Sequence, residues 1–348
     1  MMRELDIRFR ILRNGADFGE LYALDGSSPT LRMSETGEIK MSLSGDFVLP
    51  EEIDWLSDEI RPELWIDGVR HPLGIYLPAT VQEKITNEAR GVSVEAYDRC
   101  WIVRDTYLED PLYIAAGTQY LQAIENLLVA SGISTAAITP TAITLPEARE
   151  GWEVGTSYLE IVNQLLSEIN YKPLWFNNSG LAVLEPVREP SVQNLSHTLD
   201  GSNVQSLLLP TMNRQTDIYS APNVFICVCS NPDKDAAMVA TAENVNPQSP
   251  LSTVRRGRRI CRLVQVDNVA SQEELEAYAT RLCNESLFGG EQITVQTALL
   301  PGFGVGDITA LNYHGTTGLC LERAWTMVLS PTGGTMTHQL EKVVFNFG

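Results

Sequence analysis

The chain has 348 residues, 44% of them apolar and 7% aromatic, which marks an ordered globular protein too long for one ordinary core. Its formal net charge is −19, from 25 Lys and Arg against 44 Asp and Glu. Such a surface disfavours nucleic acid and anionic membranes, and no apolar run reaches the length of a membrane span.

The chain opens on a strand pattern, with Leu5, Ile7, Phe9 and Ile11 alternating with charged residues. The start lacks the continuous apolar stretch of a signal peptide, so folding in the cytoplasm is expected. Arg13-Asn14-Gly15 and Asp67-Gly68 are turn signals, the second placing a hairpin between Pro62–Val69 and Arg70–Pro78. Arg32–Leu49, Ala79–Thr86 and Gly91–Val103 read as further strands. Between them Pro50–Ile60 is an acidic turn or short helix around Ile53, Leu56 and Ile60. Residues 1–105 therefore predict a small barrel or sandwich.

Residues 106–190 change character. Two similar segments, beginning at Gly117 and Gly155, lie 38 residues apart. Each predicts a helix: Leu121, Ile124, Leu127 and Leu128 share one face, and Leu159, Val162, Leu165 and Leu166 share another. Thr118 is the expected cap of the first helix and Gly132 its stop; Ser157 with Glu160 forms a capping box on the second. Two copies are too few for a solenoid, so the pair is expected to pack in one module. Trp175–Phe176 and Leu181–Leu184 form a hairpin about Asn177–Gly180.

Residues 191–348 return to strand. Asn223–Ser230 reads as a buried strand and 231–260 as a long excursion. Ser271–Leu287 is a helix whose face is Leu275, Tyr278, Ala279 and Leu282, capped by Ser271 with Glu274. Four extended runs close the chain: Gln292–Leu300, Asp307–Tyr313, Gly318–Leu329 and Gly334–Phe345. Glycine and proline separate them, as in an antiparallel meander whose edge needs covering.

Candidate chemistry is sparse. No catalytic or nucleotide-binding motif occurs. The adjacent carboxylates Glu51-Glu52, Glu109-Asp110 and Glu273-Glu274 sit at turns or helix starts, which argues against acid–base work. Gly302–Gly306 is glycine-rich but precedes a strand, so a tight connection is expected rather than a phosphate loop. The six cysteines and four histidines lack metal-ligand spacing, and the cysteines read as small apolar residues. No cofactor is expected. Trp101, Trp152, Trp175 and Trp325 read as core or interface anchors. Arg255, Arg256, Arg258 and Arg259 form the one dense basic run. Pairing with carboxylates across a subunit boundary is the favoured reading; DNA contact and a solvated loop are the alternatives.

The order of elements resembles that of bacteriophage tail hub proteins, which join the tail tube to the tip, including those of R-type bacteriocins. Four stretches carry the likeness. Tyr97-Asp98-Arg99 with Arg104-Asp105 resembles the end of a first barrel. Ala116-Gly117-Thr118 with the Tyr120-Leu121 helix resembles the start of an inserted module. Asn223–Pro232, the excursion with Asn246-Pro247-Gln248-Ser249-Pro250 and the helix after it resemble the opening of a second barrel. Gly306-Asp307-Ile308 and Gly333-Gly334-Thr335-Met336 resemble its closing strands.

The resemblance implies an α+β, mainly β fold. Two small tube-like antiparallel β-barrels, 1–105 and 191–348, would flank an inserted helical module, 106–190. It implies a structural, non-enzymatic homotrimer in the virion tail or baseplate, assembled in the host cytoplasm. Such a trimer would adapt a sixfold tail tube to a threefold spike or tail tip and line the central channel. Its partners would be itself, the tube protein and the spike or tip protein. Tape measure, baseplate wedge and distal tail proteins are further candidates, with no specific nucleic acid and no membrane insertion. The other readings are a tail-associated cell-wall hydrolase or peptidase, for which the chain end at Phe347-Gly348 leaves no room, and a carbohydrate-binding receptor protein.

Overall fold

The computed structural model describes residues 3–85, 90–188, 191–203, 207–215, 221–229, 238–266, 269, 271–288 and 291–342. The architecture is α+β, mainly β, as expected.

The first eight strands are β1 (Leu5–Arg13), β2 (Ala16–Leu21), β3 (Thr30–Ser34), β4 (Met41–Val48), β5 (Glu59–Ile66), β6 (Val69–Pro72), β7 (Tyr76–Ile85) and β8 (Arg90–Asp98). Both predicted turns form, with positive φ at Asn14, Gly15, Asp67 and Gly68, the backbone that a two-residue hairpin on a twisted sheet requires. β4, β8, β7, β5, β1 and β2 neighbour one another in that order. The chain after β2 then returns to β4 through the bridge Ala23↔Phe47, flanked by Leu24 N–H to Asp46 O at 3.0 Å and Val48 N–H to Tyr22 O at 2.8 Å. The six strands thus close on themselves around Phe9, Leu43, Phe47, Ile60 and Val92. The run expected to continue as strand to Val103 ends at Asp98, whose carboxylate accepts the N–H groups of Met41 and Cys100 and turns the chain into helix α1 (Cys100–Asp105). Pro50–Asp58 is a turn held by its own aspartates, not a helix. Thr86 lies outside the described residues.

The next elements are β9 (Leu112–Ile114), α2 (Tyr120–Ala130), β10 (Ala136–Ile138), β11 (Arg149–Trp152), α3 (Tyr158–Glu168), β12 (Trp175–Phe176) and β13 (Ala182–Leu184). The predicted apolar faces of α2 and α3 are buried together in one core. Ser157 caps α3, its hydroxyl accepting Leu159 N–H at 3.2 Å. Thr118 does not cap α2. The helix begins one residue later, with Gln119 at the N-cap and no side-chain bond, while the Thr118 carbonyl is held by Leu145 N–H. Gly132 ends α2 at φ +87°, a backbone glycine adopts without penalty.

The last part holds β14 (His197–Asp200), β15 (Leu208–Gln215), β16 (Val224–Cys229), β17 (Met238–Glu243), α4 (Thr253–Arg256), β18 (Cys261–Val266), α5 (Gln272–Phe288), β19 (Gln292–Ala298), β20 (Ile308–Tyr313), β21 (Thr316–Val328) and β22 (Thr335–Lys342). The predicted closing meander forms, with neighbours in the order β14, β20, β21, β22, β19, β15. Residues 343–345 of its last run lie outside the described residues.

Val224–Cys229, expected to open this barrel, does not join it. β16 is the centre of a separate three-stranded sheet, β17-β16-β18, roofed on one face by α5. Cys227, Cys229, Ala240, Leu275 and Ala279 form its own core, so both edges and one face of β16 are occupied without the meander. The excursion is partly ordered as β17 and α4, and its residues 231–237 lie outside the described residues.

β3 pairs with β4 on one side and with β21 on the other. One sheet therefore runs through both strand-rich ends of the chain, and one apolar core fills both, from Phe9 to Leu340. Along one edge of β21, residues 316–321 pair with β20 and residues 324–328 with β3. The change of partner coincides with a register shift between Glu322 and Ala324, a bulge that re-aims the side chains on either side of it.

Candidate functional site

That bulge sends neighbouring side chains to opposite sides. Glu322 points inward. Its carboxylate meets His338 Nδ1 at 2.9 Å, with both side chains fully buried. His338 Nε2 lies 3.1 Å from the Thr297 hydroxyl, which itself donates to Ala298 O. The hydroxyl must therefore accept from Nε2–H, and one proton is shared between Nδ1 and the carboxylate. Burial raises the Glu322 carboxyl above its ordinary value, and the His338 bond opposes that rise.

Phe303 packs between His338 and His197, with centroids 4.6 and 3.7 Å apart. His197 Nε2 lies 3.0 Å from Asp307. Burial would raise the Asp307 carboxyl, but His197 and the Gly304 N–H outweigh it and hold it low. The Gly304 N–H is taken by Asp307 at 2.6 Å and the Val305 carbonyl by Lys172 at 2.8 Å, so the glycine-rich connection between β19 and β20 is closed on itself and tied to the inserted module.

Arg323 points outward and pairs with Glu35 and Glu341, which lifts its already high pKa despite burial. It lines a cleft of about 470 Å³ where the sheet, the 163–188 segment and α5 meet. Lys172 in that cleft pairs with Glu185 at 3.0 Å, and Arg281 donates to Asn170 at 2.7 Å. Arg323 and Lys172 thus find their carboxylates within the chain, which suits a joint between units.

The sequence-predicted groups lie elsewhere. Arg255 and Arg256 end α4, and Arg258 and Arg259 lead into β18. Arg256 donates to Ala221 O at 2.7 Å, and Arg259 pairs with Glu243 at 3.2 Å. The run therefore sits at one end of the three-stranded sheet. The acid pairs stay apart: Glu51-Glu52 in the first strand set, Glu109-Asp110 in the inserted module and Glu273-Glu274 on the first turn of α5. Five cysteines are buried as expected, but Cys261 is exposed at the start of β18. Among the described residues no three His, Cys, Asp or Glu side chains converge as a metal site would need, and no helix is long and apolar enough to cross a membrane. Trp152 and Trp325 are buried, and Trp101 and Trp175 half-buried.

Two apolar surfaces escaped the sequence reading. Leu56, grouped with Ile53 and Ile60 on one apolar side, is instead 99% exposed, while Ile60 is buried and Ile53 packs on the core. The outer face of the three-stranded sheet shows Val239 and Leu263, 50% and 63% exposed. The signal for the first was the run of acids around Leu56; the second carried none, because its alternation is ordinary for a strand.

No protein-family model and no curated protein matches the sequence. Solved structures do match the fold along nearly its whole length. The tail protein from Neisseria meningitidis MC58 is 14% identical, covers 97% of this chain with 96% of its own, and superposes with a TM-score of 0.67. The 43 kDa tail protein of prophage MuSo2 from Shewanella oneidensis is 10% identical, with 96% and 98% covered and a TM-score of 0.65. Prophage tail protein gp18 from Listeria monocytogenes is 12% identical, with 95% and 94% covered and a TM-score of 0.60. The resemblance read from the order of elements thus holds in three dimensions, and the chain has the fold of phage tail proteins.

Proposed function

We propose that this protein is a structural hub of a phage tail, acting through interfaces and without catalysis. The observation that carries this is the full-length match to phage tail proteins, with almost nothing left over in either chain. The E. coli c3393 protein, described as a type VI secretion component similar to T4 tail proteins gp27 and gp5, covers 97% of this chain with a TM-score of 0.56, which extends the likeness to contractile injection machinery.

In this reading the working form is a homotrimer. The strands of residues 1–105 and those of 197–215 and 292–342 would make the two tube-like domains, with 106–190 inserted between them and the β17-β16-β18 sheet with α5 carried as a separate unit. Three copies would set six such domains around an axis, matching a sixfold tube on one side and a threefold spike or tip on the other. Open strand edges favour this arrangement. Beyond the pair Ile60↔Tyr76, no described residue pairs with the outer edge of β7 from Leu77 to Ile85. Such edges are ordinarily covered by neighbours. The net charge of −19 suits a channel wall that repels DNA phosphates.

A cryo-EM map of the assembled tail tests the reading. Threefold symmetry at this chain, between tube and tip, is the expected result. A peripheral position or a basic lumen would overturn the corresponding part. Cell-wall zymography should show no cleared band.

A further inference from the structure

The loop between β4 and β5 shows one leucine to solvent and fixes it there. Ile53 and Trp55 pack inward on the core. Asp54 accepts Leu56 N–H at 3.1 Å and the Ser57 hydroxyl at 2.6 Å, and Arg13 grips Asp58 at 2.7 Å. A leucine held 99% exposed on this hydrogen-bonded turn is a knob without a hole, since an apolar side chain of that size gains by leaving water. Glu51, Glu52 and Asp54, all exposed, give it an acidic collar.

The three-stranded sheet supplies the opposite shape. α5 covers only the Cys227/Cys229 face. On the other face the register aligns Val239 with Val228 and Ile226 with Leu263, an apolar strip open to solvent at both edge strands. The arginine run stands at one end of that strip, with Arg259 reaching Glu243 on the same face. An acidic collar around an apolar knob and a basic rim beside an apolar strip are complementary in both polarity and charge.

We propose that Leu56 of one copy of this chain docks on the Ile226–Leu263 face of the next copy, with its acidic collar against Arg255–Arg259. The proposal rests on the homotrimeric reading and names the contact. The two surfaces differ, so the contact is heterologous, and in the trimeric reading three such contacts close a ring. The excess of carboxylates makes a second copy the partner whose charge fits the arginines.

The test uses the one exposed native cysteine at the strip, Cys261. Leu56→Cys, treated with a short bis-maleimide as purified chain and in assembled tails, should give a covalent ladder that stops at three copies. Cys261→Ser in the same background should abolish it. Arg255→Glu with Arg259→Glu should lower the linked fraction about tenfold, because like charges then face each other. Leu56 touches nothing within the chain that folding needs, and circular dichroism of each variant checks this. A trimer by light scattering without Leu56→Cys to Cys261 links would overturn the docking and leave the trimer standing. A monomeric wild type together with no threefold symmetry in the tail would overturn both.

Discussion

Glu322 and His338 form a hydrogen-bonded polar pair inside an apolar barrel, and the cost of that choice appears when one partner is removed. His338→Ala leaves the buried Glu322 carboxyl without its hydrogen-bond partner. The expected loss is about 3–5 kcal/mol, read as a shift in urea midpoint. Replacing both by leucine should recover most of it, since the desolvation cost goes with the pair. Asp98 behaves differently. Burial outweighs the Met41 and Cys100 amides and lifts its carboxyl from 3.8 to about 6. A raised carboxyl favours the fold while protonated, so its contribution is present below pH 3.8 and lost as pH rises to about 6. Asp98→Asn should be less stable overall, because its amide meets two N–H donors. Its stability should nonetheless lose the decline across that window, measured by denaturation at pH 4 and pH 7.

Turns set the register of the strands they join. Gly334 follows the turn between β21 and β22, where a Cβ would sit 2.5 Å from Val328 O and 2.7 Å from a Leu299 methyl. A backbone oxygen cannot rotate away, so Gly334→Ala must displace the end of β21. The expected cost is about 1–3 kcal/mol, seen as a lower Tm. Gly15→Ala meets no atom within 4 Å and carries only the strain of φ +76°, so it should lose about 1–2 kcal/mol at most. Similar losses in the two variants would show that steric approach at Gly334 is not the controlling term.

Because β3 pairs with strands of both ends of the chain and one core fills both, these two regions should open together. The three-stranded sheet and α5 have a separate core and need not follow. Native-state hydrogen exchange tests this: amides of β4 and β22 should share one opening free energy, while those of β16 should exchange at a different one. Independent opening of β4 and β22 would mean the shared sheet does not couple them.

Local chemistry was legible in the sequence. The faces of α2, α3 and α5, the Asn14-Gly15 and Asp67-Gly68 turns and the closing meander depend on side-chain period and turn residues within a few positions of one another. The order of these elements also carried the resemblance to tail hubs, which the fold sustains. Long-range pairing was not legible. Arg323 finds Glu35 across 288 positions, β3 chooses β21, and β16 leaves the meander for a sheet of its own. Nor could periodicity say that Leu56 faces outward while Ile53 and Ile60 face in, because the turn is set by Asp54, Asp58 and Arg13 together. The sequence by itself determined the longer periodic elements, namely the faces of α2, α3 and α5, the two hairpin turns and the closing meander, but not α1, β17 or α4. Tertiary structure alone decided which strand edges meet and which apolar faces stay uncovered, because those outcomes depend on the competition among distant segments for the same edges and the same core.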